Sequence, residues 1–215
     1  MLPPLTDFVA LMSLGLVLCA GCLRLLGATR LSLRWKKFII LVCFVLLWLP
    51  VGVPQMPVLA YIRGISSDLS ITLLALACLG MRERLAGRPV QHDRERTAVL
   101  TAIAAAALFL YPLALGWGDW DAYRSGWGAP GMWAALLVVS VLAWVRGLRL
   151  LPTLLGVALL AWTAGMLEST NLWDYLIDPW LAIFAIFHSV KLVLQKARAW
   201  LGSGPRREPS SPTSA

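Results

Sequence analysis

The residues of this chain best suited to chemistry are acids and aromatics crowded into two short segments. Residues 116–128 hold Asp119, Asp121, Tyr123 and Arg124 among Trp117, Trp120 and Trp127. Residues 168–178 add Glu168, Asp174 and Asp178 with Trp173 and Tyr175. A carboxylate can serve as a general base or bind a hard cation, and an arginine can clamp a phosphate. The catalytic candidates are therefore Asp119, Asp121, Glu168, Asp174 and Arg124. Asp119 and Asp121, flanking Trp120, are also the candidate metal ligands, although a lone Asp-x-Asp pair is a weak pattern. A plainer account competes: Trp and Tyr form an interfacial belt, and Asp178 caps a helix. That account covers the aromatics better than it covers the acids and arginines beside them.

Other chemistries fail for want of parts. An intramembrane serine protease needs a histidine beside its nucleophile, and Ser140 and Thr163 have no glycine-rich elbow. A phosphatase or a haem site built on two histidines is not served by His92 and His188, because His92 falls in a loop. Cys19 and Cys22 share a helix face but lack a third ligand nearby in sequence, so they read as small hydrophobes. His188 and Lys191 lie in the last apolar run, where Lys191 can snorkel to water and His188 can stay neutral and hydrogen-bonded.

The elements that must position these residues are helices in lipid. Of 215 residues, 59% are hydrophobic and only 14% charged, with a mean hydropathy of +0.75. A soluble domain carries about 25% charged residues. Apolar runs occupy residues 8–26, 38–53, 69–81, 98–115, 130–145, 150–167 and 179–194. None alternates as a membrane barrel strand would. The third is short and needs a helical turn from 65–68 to reach both interfaces. Ala-rich 101–107 offers a small-residue face for close packing. No internal repeat of broken helices is present.

Charge gives direction. Seventeen of the 19 basic residues follow the first, third, fifth and seventh runs, and only Arg63 and Arg124 fall on the other side. The positive-inside rule then places the N-terminus outside and the C-terminus in the cytoplasm. The arginine-rich loop 82–96 reads as an anchor on anionic lipid. Residues 1–7 carry no basic residue, so the first run reads as an uncleaved span. The Asp178-Pro179 and Ala129-Pro130 pairs mark helix starts, and residues 146–149 a tight hairpin. The four cysteines all sit in apolar runs, which argues against a disulfide framework.

The sequence thus reads as an all-α polytopic transmembrane helix bundle of about seven spans. Its transmembrane domain covers 1–201, and residues 202–215 form a Pro/Ser-rich disordered cytoplasmic tail. Arginine outnumbers lysine 15 to 4, which suits a GC-rich bacterial genome and hence a bacterial inner membrane. Three functions remain. The favoured one is a non-catalytic scaffold or accessory subunit in envelope biogenesis, touching lipid bilayer and a membrane-protein partner. The second is an enzyme acting on a lipid-linked substrate at the outer leaflet through its acidic, Trp-rich face. The third is a transporter or flippase, disfavoured because the span interiors carry almost no charge. No nucleic-acid partner and no cofactor is expected. If the loops 116–128 and 168–178 meet, their tryptophans should fold down as a lid over converging acids.

Overall fold

A computed structural model describes residues 5–53, 55–87 and 93–202. His92 and the tail from residue 203 lie outside the described residues. The chain is mostly helical. In order come α1 (Leu5–Leu26), α2 (Leu33–Leu47), α3 (Val58–Ser66), α4 (Ile71–Leu85), α5 (Asp93–Ala114), α6 (Pro130–Val145), α7 (Leu150–Thr163), α8 (Leu172–Leu176) and α9 (Pro179–Gly202). A 3₁₀ helix, Ala122–Trp127, precedes α6.

Among the described residues, three helices are long and apolar enough to cross a membrane: α1, α5 from Arg94, and α9 as far as Leu201. The 16-residue α6 and 14-residue α7 are apolar but shorter. At 1.5 Å per residue they reach roughly 21–24 Å, against about 30 Å of hydrocarbon. Outward faces are apolar: Leu137, Val141 and Trp144 on α6, and Ile183, Phe187 and Val193 on α9, are all exposed. Such surfaces suit a lipid solvent rather than water.

Helix ends follow local chemistry. The run at 150–167 stops early, at Thr163, because Gly165 adopts φ +60 and closes the helix. Its N–H donates to Trp162 O, and Met166 N–H donates to Ala161 O, which is the Schellman pairing. The turn expected from 65–68 does not extend α4. Ser67 sits at φ 56, ending the separate helix α3, and Ser70 starts α4 by accepting Leu73 N–H at 3.1 Å. A minimal antiparallel ladder, Pro50–Val51 with Met56–Pro57, turns the chain from α2 into α3. Strand content was not expected, and among the described residues it is confined to this connection.

The core lies between α5, α7, α8 and α9. The contact of α5 with α9 is the most extensive in the fold, followed by α1 with α4. Ala104 and Ala107 on α5 and Ala182 and Ala185 on α9 are all buried, and their small side chains let the backbones approach. Tyr175 is 1% exposed, and its hydroxyl accepts from Leu167 N–H at 3.1 Å. All four cysteines are free.

The helix starts are tied together. Asp178 caps α9, one oxygen accepting Leu181 N–H at 2.9 Å. Its other oxygen accepts Ser70 N–H at 3.0 Å and Ser70 Oγ–H at 2.5 Å. Since Ser70 caps α4, one buried carboxylate fixes the start of both helices. This end of the bundle carries the site.

Candidate functional site

Arg63, near the end of α3, points its guanidinium at three carboxylates from distant parts of the chain. Nε donates to Asp68 Oδ1 at 2.7 Å, Nη1 to Asp7 Oδ1 at 2.6 Å and Nη2 to Glu168 Oε1 at 2.9 Å. One planar fork thereby joins the first turn of α1, the α3–α4 connection and the α7–α8 segment. Arg63 and Asp68 are about one-fifth exposed, whereas Glu168 is 62% exposed. Its three partners, Asp68 foremost, raise the arginine's already high pKa, so it is permanently charged. The cluster sets three carboxyl groups against one guanidinium.

A second network joins the two aromatic segments. Tyr123 Oη–H donates to Asp174 Oδ2 at 2.7 Å, and Ser169 Oγ–H donates to the same oxygen. Asn171 accepts Trp173 N–H and donates to Tyr123 O, both at 2.9 Å. The Trp173 indole, 8% exposed, donates to Ala122 O at 3.2 Å and Ser125 Oγ at 3.1 Å. Gly126 permits the approach: a Cβ there would stand 1.8 Å from Asn171 Oδ1 and 2.8 Å from Trp173 Cδ1. The two segments therefore meet. The lid does not form as expected, because Trp117, Trp120 and Trp127 stay 76%, 55% and 56% exposed. Trp120 rests on Phe109 and Trp127 on Tyr123, so each indole finds a neighbouring ring instead of closing over the acids.

A cleft of about 1090 Å³ opens beside Arg63, with Asp7, Asp68, Glu168, Asp174, Asp178 and Tyr111 among its walls. Of the candidates named from sequence, Glu168 and Asp174 line it. Asp119, Asp121 and Arg124 are exposed and do not. Asp121 instead caps the 3₁₀ helix, accepting Tyr123 N–H at 2.9 Å. Arg124 makes no ion pair among the described residues; Arg63 is the arginine that meets the acids. Arg63, Asp7, Asp68 and Ser70 were missed as site residues. The available signal was Arg63 itself, one of two basic residues on the acidic side. No group of three His, Cys, Asp or Glu among the described residues is arranged to hold a metal ion. Away from this site, His188 departs from its expected hydrogen bonding: its Nδ1 is buried without a partner among the described residues.

The arrangement holds segments together and leaves Arg63 less able to hold a phosphate, since three of its five N–H groups already donate to carboxylates. Tyr123 gives a direct readout. Burial, then its bond to the Asp174 carboxylate, push its phenol from 10.0 up to about 12. A pKa raised by folding means stability present below the unfolded value and lost as pH climbs through the folded one. The phenol should therefore ionise about two units late by ultraviolet difference spectroscopy. Stability should fall between about pH 10 and 12 in the native protein and less so in Tyr123→Phe. A Tyr123 phenol titrating near 10 would contradict the network.

No family model, no curated protein and no solved structure matches this chain.

Proposed function

We propose that this chain is a non-catalytic polytopic membrane protein, a scaffold or accessory subunit in envelope biogenesis in a bacterial inner membrane. The observation that carries this reading is the commitment of the acids around the cleft. Asp7, Asp68 and Glu168 serve Arg63, Asp174 serves Tyr123 and Ser169, and Asp178 serves two helix starts. A general base needs a free lone pair aimed at substrate, and a phosphate clamp needs uncommitted N–H donors. Each of these acids already has at least one oxygen engaged, and Arg63 has donated three of its five N–H groups to carboxylates.

In this reading α1, α2, α4, α5, α6, α7 and α9 are the seven spans, and the cleft faces the outside. The apolar exposed flank of α2, with Leu41, Val45 and Leu46, supports counting it among them. The partner is a membrane protein that meets the cleft, whose rim presents Ile65, 89% exposed, beside an excess of carboxylate.

The test is site-specific photo-cross-linking in the source cells, with a photoreactive phenylalanine replacing Ile65. A single discrete protein adduct is expected, recovered at near-equal stoichiometry after mild detergent extraction. The same label at exposed Val145, on α6, should not yield that adduct. Lipid adducts alone from Ile65, with a lone monodisperse protein after extraction, would overturn the proposal. The enzyme acting on a lipid-linked substrate stays the second reading, because Glu168 lines the cleft and is 62% exposed.

A further inference from the structure

A second cleft, of about 490 Å³, opens between α1, α4, α5 and α9 toward the other end of the bundle. Asp7 and Arg24 mark the two ends: 17 residues apart on α1, they stand roughly 25 Å from one another along its axis. The chemistry here is the reverse of that around Arg63. Arg24, Arg84, Arg96 and His188 all line the cavity. Arg84 is near enough to Arg24 and Arg96 to be repelled by both. Among the described residues one carboxylate, Glu83, answers them, and it is paired with Arg96 Nη2 at 2.5 Å.

The remaining donors are under-used. Arg24 lies over the Phe184 ring, 4.9 Å from its centroid, and makes no ion pair among the described residues. Among the described residues Arg84 donates only to Gly80 O of its own helix, at 3.2 Å. Arg96 Nε and His188 Nδ1 are buried and have no hydrogen-bond partner among the described residues. Like charges gather and buried donors go unmatched where a ligand's acceptor oxygens complete the set. Deeper in, Leu73, Leu76, Leu100 and Leu181 make the wall apolar.

We propose that this cleft binds a phosphate group, held by Arg24, Arg84 and Arg96, with the apolar wall taking whatever hydrocarbon the phosphate carries. Guanidinium forks match phosphate oxygens, and basic pockets between membrane helices take anionic headgroups. The site is separate from the carboxylate cluster, and its failure would leave the reading of that cluster untouched.

The test uses the full chain, delipidated in neutral detergent, with thermal unfolding followed during titration. The probes are dioctanoyl phosphatidylglycerol, dioctanoyl phosphatidylcholine and inorganic phosphate. A saturable rise in Tm with phosphatidylglycerol but not phosphatidylcholine assigns the site to an anionic lipid headgroup. A saturable rise with inorganic phosphate alone assigns it to a free phosphate. Either supports the proposal when Arg84→Gln weakens the response roughly tenfold and Arg30→Gln, at an exposed loop position, does not. Should Arg84→Gln fail to fold, Arg24→Gln provides the same comparison. No saturable response to any probe, an equal response to both lipids, or a response unchanged in the cleft variants would overturn it.

Discussion

Asp178→Ala is expected to lower the unfolding free energy by about 3 kcal/mol, from a lost helix cap and newly unpaired buried donors. Asp178 is 4% exposed and Ser70 is fully buried, so water cannot replace the carboxylate without opening the bundle. The variant orphans Leu181 N–H at the start of α9 and Ser70 N–H at the start of α4 together. Ser70 Oγ, which caps α4, also loses the acceptor that orients it. Asp178→Asn should fall between, because one amide oxygen can serve only part of what two carboxylate oxygens serve. Equilibrium unfolding in mixed micelles measures the difference. A loss below about 1 kcal/mol, the value of one exposed cap, would show that the two helix starts are independent.

Gly126→Ala should cost a comparable amount, about 3 kcal/mol, through overpacking rather than lost charge. The added methyl would meet Asn171 Oδ1 at 1.8 Å and Trp173 Cδ1 at 2.8 Å, so a rotamer change at one of them cannot relieve both. Moving Asn171 gives up its bonds to Trp173 N–H and to Tyr123 O, and moving Trp173 gives up its bonds to Ala122 and Ser125. The diagnostic consequence is at a distance. With the two segments parted, Tyr123 leaves Asp174, and its ionisation should return from about 12 toward 10. Native stability with an unmoved tyrosine titration would contradict the packing described here.

The local signals in the sequence carried over well. Asp178 does cap α9, Pro130 does open α6, and the alanines of α5 do pack closely, because each effect is decided within a few residues. Spans were harder to bound. Gly165 ends α7 four residues before its apolar run does, since backbone handedness overrides hydropathy there. The 3₁₀ helix and α8 lay hidden inside aromatic segments, because their short lengths are set by tertiary bonds such as Tyr123 to Asp174. The site was half legible. Glu168 and Asp174 stood out by type, but whether their segments meet hung on which helices neighbour one another, which no local pattern decides. Arg63 did not stand out, because its meaning lies in contacts with Asp7 and Glu168, which are 56 and 105 residues away. No local periodicity encodes such distances.

The claim that the acidic face is structural rather than catalytic is tested most directly by separating function from abundance. In cells lacking the native gene, Glu168→Gln, Asp119→Asn and Asp121→Asn should each restore the wild-type phenotype at wild-type protein levels. Arg63→Met, which leaves three carboxylates facing one another, should fail through reduced abundance. Loss of function in Glu168→Gln or either aspartate variant, at undiminished abundance, would contradict the account and return the acidic face to catalysis.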